Sequence, residues 1–258
     1  MTTHPFRFGA VAGHATDAAA WTGLARRAES LGYSTLLVPD TLRTLSPFIA
    51  AAVAATATTT LRVGTFVLSA ANRTPETVAR ETSTLHTLTG GRFELGLGAG
   101  RPDAEQDAAA LGVRYGTPGE RIERLSETIG AVKDVRVLVA ASGTRLLRLA
   151  AQKADTVALG VPRHYTEDQV AAKLDELYEL AGDRFHDLEL NMNLAAAGAE
   201  PPSWLSVTAG GTGFLLGTAD EMVDALRRRR DRLGVSYVSV NAQYLDEFAP
   251  VVERLTGT

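Results

Sequence analysis

The segment from Thr89 to Arg101 is the part of this 258-residue chain whose residue types and spacing are best suited to chemistry. Gly90–Gly91 is typical of the positions just past a helix end, where a left-handed backbone is needed. Residues 93–97 predict a short strand, and Gly98–Gly100 follows with almost no side-chain bulk. A flat ligand can approach such a main chain closely and meet bare N–H and C=O groups. The segment therefore predicts a site for a ring-shaped cofactor, with a tight turn of small packing residues as the alternative.

The same glycines do not form a dinucleotide-binding fingerprint. That motif requires Gly-x-Gly-x-x-Gly between a strand and a helix. Here the run ends at Gly100, and the position three after Gly98 is Arg101. The spacing excludes the Rossmann interpretation. The sequence also has neither a phosphate-binding loop nor a Gly-x-Ser-x-Gly nucleophile elbow, so it does not indicate nucleotide hydrolysis or serine hydrolase chemistry.

Composition and charge narrow the class of protein. The chain has no cysteine, which excludes disulfides and thiolate metal sites, and its five histidines show no paired metal-ligand spacing, so no metal site is predicted. A net charge of −4 gives no electrostatic basis for binding nucleic acid, and the basic cluster Arg227–Arg230 is interpreted as a solvated helix face. No apolar run has the length that spans a bilayer, and the N terminus lacks a secretory pattern. The expected location is the cytoplasm, without a membrane partner.

Short apolar runs alternate with amphipathic helices along the chain, and several runs are continuous, as in strands buried on both faces of a parallel sheet. Thr74-Pro75 predicts a helix start, and Thr166–Gln169 and Thr218–Glu221 have capping-box spacing. The eight predicted strands span residues 6–12, 35–38, 61–68, 93–97, 135–140, 156–159, 188–194 and 237–240. Eight βα units predict an α/β fold, a (β/α)8 TIM barrel in a single domain over residues 1–258, with a doubly wound open sheet as the alternative.

In a (β/α)8 barrel the active site lies at the C-terminal ends of the strands, so the residues that follow each strand are candidate site residues. They are His14, Asp40, Ser69, Asn72, Arg101, Ser142, Arg163, His164, Asn241 and Gln243. Because asparagine is uncommon in buried strands, we expect one of Asn191 and Asn193 in the seventh strand to point into the barrel mouth.

Four of the candidate site residues each have an alternative interpretation. His14 and His164 are candidate proton donors, and the alternative is a solvated loop histidine. Asp40 is suited to a cofactor contact or to capping the helix that follows. Arg101 is suited to clamping an anion or to pairing with Asp103 or Glu105.

Several motifs in the same order resemble the luciferase-like monooxygenase superfamily, in particular its coenzyme F420-dependent oxidoreductases. The motifs are residues 36–40, 61–65, 74–81, 90–100, 146–151, 217–222 and 232–238, and the resemblance covers nearly the whole chain. It implies a (β/α)8 luciferase-like barrel that holds a flavin or deazaflavin at the strand C-termini and transfers a hydride to or from a small organic substrate. The family's ring-binding positions match Asp40, Ser69, Ala70, Gly98, Ala99 and Gly100. We add Arg101, Ser142 and Gly143 as candidate anion contacts.

The chain departs from the family pattern in three places. Relatives usually have histidine after the Pro-Asp of the second strand, where this chain has Thr41, and a glycine-rich turn where this chain has Ala140–Gly143. The chain is also short near residues 133–136 and 195–213. A shortened cover exposes the site to water, which is unfavourable for a reactive flavin–oxygen intermediate and favours plain hydride transfer.

The leading hypothesis is therefore an oxidoreductase that transfers a hydride between coenzyme F420 and a small organic substrate, with Asp40, His14 and His164 as candidate catalytic residues. One alternative is an FMN-dependent monooxygenase or reductase of the same superfamily. The other is a degenerate barrel that has no redox cofactor and acts as a binding or non-redox protein. The expected partners are a small-molecule substrate and a second copy of the chain, since relatives often dimerise.

Overall fold

The computed structural model describes residues 4–101, 104–200 and 211–258. The strands are β1 (Arg7–Val11), β2 (Thr35–Val38), β3 (Arg62–Thr65), β4 (Leu68–Ser69), β5 (Phe93–Gly98), β6 (Val137–Ala141), β7 (Thr156–Leu159), β8 (Glu189–Leu194), β9 (Ala196–Gly198), β10 (Phe214–Leu216) and β11 (Val235–Asn241). The helices are α1 (Ala18–Ser30), α2 (Pro47–Thr56), α3 (Pro75–Leu88), α4 (Glu105–Ala110), α5 (Pro118–Ala131), α6 (Thr144–Lys153), α7 (Glu167–Ala181), α8 (Ala219–Leu233) and α9 (Leu245–Leu255).

Eight parallel strands form a closed barrel in the order β3, β2, β1, β11, β8, β7, β6, β5, and β5 pairs back onto β3. The short strand β4 follows β3 after a cis peptide bond between Phe66 and Val67, and it pairs with the end of β5. Strands β9 and β10 form a separate parallel pair. The predicted (β/α)8 barrel is confirmed, and the open-sheet alternative is wrong because the sheet has no free edge between β3 and β5.

The predicted strands differ from the observed ones mainly at three boundaries, and the sequence does not predict β9 and β10. Strand β11 begins at Val235, two residues before the predicted start at Tyr237. The predicted strand over residues 61–68 is divided into β3 and β4. The predicted strand start at Val135 moves to Val137, because Asp134 adopts a left-handed backbone (φ 60°) and pairing with β5 starts only at Val137. The single domain over residues 1–258 stays a prediction, and residues 201–210 of the segment 195–213 lie outside the described residues.

Threonine side chains fix the starts of several helices, as the sequence predicts. Thr74 accepts a hydrogen bond from the backbone N–H of Thr77 ahead of Pro75. Complete capping boxes are present at Thr166 with Gln169 and at Thr218 with Glu221. These caps satisfy N–H groups that would otherwise have no partner, so each helix begins at a defined distance from the strand before it.

Charged side chains fill the N-terminal end of the barrel. Arg7 donates from Nε to Glu189 at 2.6 Å and from Nη1 to Glu94 at 3.0 Å, and its guanidinium lies 3.5 Å from the ring centre of Tyr237. Arg136 adds a second cation to Glu189, which is 4% exposed. Burial of Glu189 raises its pKa, but the hydrogen bond and charge of Arg7 outweigh burial, so the pKa of this carboxyl lies below its usual range. The network is a structural plug at the end opposite to the expected active site.

A small apolar cluster of Leu37, Leu138, Ala158 and Tyr237 lies in the barrel interior above this network. The neighbouring strands approach closely at Gly96, where an added Cβ would lie 2.0 Å from the backbone oxygen of Thr65. Only glycine permits this approach. The alanines and glycines of the interior leave an open volume at the C-terminal end of the strands.

Candidate active site at the C-terminal end of the barrel

The open volume is a cavity of about 570 Å³ at the C-terminal ends of the barrel strands. This size lies within the usual range of small-molecule and cofactor sites. Most of its lining is apolar and small, including Val67, Ala140, Ala141, Ala158 and Leu159. The cavity therefore lies where the fold predicts the active site and has walls suited to an uncharged ring.

The glycine turn after β5 forms one wall of the cavity, and Gly98, Ala99 and Gly100 all line it. Gly100 has φ +89°, and an added Cβ would lie 3.2 Å from Ser69 Oγ and 2.9 Å from the hydroxyl of Tyr115. An added Cβ on Gly98 would lie 2.8 Å from Val67 Cγ2. Packing between β4 and β5 thus requires small residues here, and the same residues leave the main chain beside the cavity without bulk.

Asp40 and Ser69 lie on the same side of the cavity and are joined directly. The carboxylate of Asp40 accepts the backbone N–H of Ser69 at 2.9 Å and Nη1 of Arg73 at 2.6 Å. The Asp40 side chain is 9% exposed. Asp40 does not cap the next helix, whose N-cap is Ser46, so the capping alternative is wrong. The carboxylate instead fixes the turn that carries Ser69.

Three polar side-chain atoms of the lining residues are buried without a hydrogen-bond partner among the described residues. They are Ser69 Oγ, Asn72 Oδ1 and Asn191 Oδ1. Buried polar atoms in folded proteins are usually paired with protein, water or ligand. Three such atoms around one cavity are therefore consistent with a site completed by a bound molecule.

Both asparagines of β8 line the cavity, which agrees with the expectation from their unusual position in a strand. Asn191 Nδ2 donates to Ser239 Oγ at 3.4 Å, and Ser239 Oγ donates to Asn193 Oδ1 at 3.0 Å. The sequence signalled Asn191 and Asn193, but Ser239 carried no signal because its role depends on the pairing of β8 with β11.

Arg101 and Ser142 also line the cavity. Arg101 donates to Asp107 at 3.1 Å, so its carboxylate partner is not Glu105, and Asp103 lies outside the described residues. Ser142 follows β6, and Gly143 is the N-cap of α6.

Arg163 also lines the cavity. The other predicted site residues are not among its described lining, and they are His14, Ala70, Gly143, His164, Asn241 and Gln243. His14 and His164 are exposed on their loops, and the ring of His164 packs edge-on against Tyr165 at 5.6 Å. Ala70 is fully buried in the 3-10 helix Ala70–Asn72. No histidine occurs among the described lining residues, so neither imidazole is positioned as a proton donor there.

Two loops clamp together to build the wall opposite Asp40. The backbone N–H groups of Thr212 and Gly213 donate to the carbonyl oxygens of Tyr165 and Arg163 at 2.8 and 3.0 Å. Behind them Arg229 donates to the carbonyl oxygens of Thr212 at 3.0 Å and Phe214 at 3.1 Å.

Arg229 corrects one interpretation from the sequence. It belongs to the basic cluster interpreted as a solvated face, yet it is only 8% exposed. Burial lowers its pKa, and the carboxylate of Glu167 at 3.4 Å partly opposes this effect. Its neighbours Arg227 and Arg228 are exposed, as expected. The positions differ because a helix turns about 100° per residue, which buries one member of a run of four.

Neither a metal centre nor a membrane-spanning helix is found among the described residues. No group of three or more histidine, aspartate or glutamate side chains is arranged to hold a metal ion. Among the same residues, no helix combines the length and apolar character needed to cross a bilayer.

Solved structures with the same fold include enzymes that use different cofactors. A coenzyme F420-dependent tetrahydromethanopterin reductase from Methanopyrus kandleri superposes with a TM-score of 0.78 at 14% identity, covering 98% of this chain and 100% of the reductase. An F420-dependent secondary alcohol dehydrogenase gives 0.76 at 15% identity, covering 98% of this chain and 99% of that chain. A riboflavin lyase with modified FMN gives 0.77 at 13% identity, covering 99% and 93%. At these identities the similarity shows the fold alone.

Sequence comparison gives the family. An uncharacterised protein of Mycobacterium tuberculosis is 28% identical over a match that covers 44% of this chain and 47% of the relative, so the match spans about half the length of that relative. A protein of Mycobacterium bovis matches to the same extent. The family model for luciferase-like monooxygenases matches residues 1–136, which is just over half of the chain. Together with the closed parallel barrel, this match shows that the chain belongs to the luciferase-like monooxygenase family.

Proposed function

We propose that this protein is an oxidoreductase that transfers a hydride between coenzyme F420 and a small organic substrate. The observation that carries the proposal is the cavity at the C-terminal ends of the strands, where the bare turn Gly98–Gly100 faces small apolar residues of β6 and β7. A cavity of about 570 Å³ with small apolar walls has room for a flat tricyclic ring.

One further observation supports the fit between these residues and such a ring. Ser69 Oγ and Asn72 Oδ1 are buried at the edge of the cavity without partners, and both atoms can bond to the polar edge of a ring. The backbone beside them lies at Gly98–Gly100. Asp40 holds the Ser69 turn in place through its bond to the Ser69 N–H. We therefore assign the ring to the side of the cavity formed by β4 and β5.

Arg101 and Ser142 lie at the rim and are suited to a negatively charged cofactor tail. Gly143 opens α6 beside Ser142, and the first backbone N–H groups of a helix favour an anion. Arg101 is 52% exposed and paired with Asp107, so its charge is already in contact with solvent. The side chain can therefore turn toward a cofactor tail at little cost.

The cofactor supplies the electrons, carried as a hydride on its ring. The protein then has to bind and orient the ring and the substrate, which the small apolar residues and few polar groups of the described lining support. Its only carboxylate, Asp40, is already engaged by Arg73 and the Ser69 N–H, and its other charged side chains are Arg101 and Arg163.

We also propose that the protein is a homodimer. Leu42, Leu45 and Ile49 are 48%, 36% and 68% exposed, and they lie together at the start of α2 and in the loop before it. An exposed apolar group of this kind is typical of an interaction surface. Light scattering on the purified chain gives the mass that tests this proposal.

The test of the cofactor is a titration of the purified protein with coenzyme F420 and, separately, with FMN, followed by cofactor fluorescence and thermal stabilisation. Binding of F420 at micromolar or lower concentration, with an accompanying rise in Tm, supports the proposal. Binding of FMN alone instead favours a flavin-dependent enzyme. Binding of neither contradicts the oxidoreductase proposal and favours a barrel without a redox cofactor.

A further inference from the structure

Two asparagines and one serine form a hydrogen-bond chain that runs from the mouth of the cavity to its floor. Asn193 is exposed at the mouth, and its Oδ1 accepts from Ser239 Oγ at 3.0 Å. Ser239 in turn accepts from Asn191 Nδ2 at 3.4 Å. Asn191 is 1% exposed and lies level with Ala158 of β7 in the strand register. We call Asn191, Ser239 and Asn193 the amide relay.

The buried end of the amide relay is incomplete. Asn191 Oδ1 has no hydrogen-bond donor among the described residues, although the side chain is almost wholly buried. A buried amide oxygen without a donor is unfavourable, and native structures rarely keep one without a reason. The neighbouring Ala158 has no polar side-chain atom to offer. A hydrogen-bond donor on a bound molecule would satisfy this oxygen.

The direction of the amide relay is reversible because every member both donates and accepts. In the observed direction Asn191 donates to Ser239, Ser239 donates to Asn193, and Asn191 presents an acceptor at the floor. If both amides turn over, Asn193 donates to Ser239, Ser239 donates to Asn191, and Asn191 presents its N–H₂ group instead. The exposed position of Asn193 lets its amide turn in contact with water, so the other end can reverse without losing a bond.

We propose that the amide relay is the polar anchor of the substrate, and that it binds both a carbonyl compound and the corresponding alcohol by reversing its direction. A carbonyl oxygen needs a donor, whereas a hydroxyl group can give its proton to an acceptor. The two members of such a pair differ by a hydride on carbon and a proton on oxygen. The inference rests on the proposed function only for this link to hydride transfer, since the anchoring itself needs no cofactor.

The surroundings of Asn191 restrict the rest of the ligand. The lining toward β6 and β7 includes Ala140, Ala158, Leu159 and Val161, and none of these carries a charge. Burying a charged group against them would be strongly unfavourable. The substrate class is therefore a small neutral molecule with an apolar body and one carbonyl or hydroxyl group.

Alanine methyl groups provide a direct readout. Ala158 lines the cavity and lies beside Asn191 in the strand register, whereas Ala25 is buried on α1. In protein labelled with ¹³C-methyl alanine, with both signals assigned by substitution, a ligand at the amide relay shifts the Ala158 signal and leaves the Ala25 signal as an internal reference. The probes are cyclohexanone, cyclohexanol and chlorocyclohexane, which share one ring and differ in their hydrogen-bonding group.

Three variants separate the anchor from the shape of the cavity. Asn191→Leu removes the amide oxygen and the amide N–H₂ group and keeps a side chain of similar volume. Asn193→Asp places an exposed carboxylate at the mouth, which only accepts, so Ser239 must donate to it and Asn191 is locked as an acceptor at the floor. Asn241→Asp makes the same chemical change at the end of β11, outside the described lining, where the side chain accepts from the N–H of Gln243 in either form.

We expect the wild-type protein to bind both cyclohexanone and cyclohexanol. Asn191→Leu should weaken the binding of both by at least about fivefold, which corresponds to the loss of one hydrogen bond. The same variant should bind chlorocyclohexane as the wild type does. Asn193→Asp should weaken the binding of cyclohexanone by a similar factor and leave the binding of cyclohexanol unchanged. Asn241→Asp should change neither affinity.

The proposal is overturned if no probe shifts the Ala158 signal, if Asn191→Leu binds the ketone and the alcohol as the wild type does, or if Asn193→Asp affects both equally. All titrations are made without F420 or FMN. A protein that fails to bind either cofactor can therefore still bear out the amide relay, and a protein that binds F420 can still contradict it.

Discussion

Arg73 Nη1 lies 2.6 Å from Oδ2 of Asp40, and the same oxygen accepts the backbone N–H of Ser69 at 2.9 Å. One carboxylate thus ties the end of β2 to the turn after β4 and to the 3-10 helix that follows. The arrangement makes Asp40 a positioning residue for the cavity wall, although its residue type also suits a proton carrier.

Asp40→Asn should destabilise the protein by about 2 kcal/mol, because a partly buried Arg73 loses its counter-ion while the neutral amide can still accept from Ser69. Urea denaturation at pH 7 measures this loss. Asp246→Asn is the matched control, since its pair with Arg27 is exposed at both ends (68% and 54%), and it should cost less than about 1 kcal/mol. An Asp40→Asn protein as stable as the control would contradict the positioning role.

Acid should remove stability that depends on Glu189. Its pKa lies below the usual range because Arg7 outweighs the effect of burial, so the ionised form stabilises the folded state above the unfolded pKa. This contribution is present at neutral pH and falls as the pH drops toward the folded pKa. Glu189→Gln should be less stable than the wild type at pH 7, and the difference should shrink as the pH falls below the unfolded pKa of a glutamate, about 4.3. Denaturation curves measured from neutral pH down through this value check it, and a difference that does not depend on pH would contradict the assignment.

Arg229→Met should loosen the wall of the cavity formed by Thr212 and Gly213. Removing the guanidinium removes the hydrogen bonds that Arg229 donates to the carbonyl oxygens of Thr212 and Phe214, which should cost about 1–3 kcal/mol. Hydrogen exchange of the Thr212 and Gly213 N–H groups should speed up more than exchange in β1. Arg228→Met changes an exposed neighbour in the same helix and should leave exchange unchanged. Equal exchange in both variants would show that Arg229 does not hold this wall.

The sequence predicted the barrel well because each strand and helix is encoded locally, by apolar runs and by caps such as Thr218 with Glu221. It also pointed to the glycine turn and to Asn191, because these residue types are unusual at their positions. It failed where the outcome depends on contacts across the fold. Nothing local indicates that Arg73 meets Asp40, 33 residues away, or that Arg229 turns inward.

The histidines show the limit of inference from strand ends. His14 and His164 follow strands, as active-site residues of this fold do, but the direction of a loop side chain is set by the loop's own packing. Both project to solvent, with His164 against Tyr165. Position in the sequence therefore placed them near the right end of the barrel and not in the cavity.

The most direct test of the central claim is the affinity for coenzyme F420 of the wild-type protein and of Ala140→Leu. Ala140 lines the cavity at the end of β6, and its Cβ lies 4.0 Å from the position of a Cβ added at Gly98, so leucine would fill the space beside the turn to which the ring is assigned. Ala19→Leu, on the exposed face of α1, is the matched control. We expect micromolar or tighter binding by the wild type and the control, and binding at least about tenfold weaker by Ala140→Leu, equivalent to about 1.4 kcal/mol. No binding by the wild type, or equal binding by all three proteins, would contradict the account.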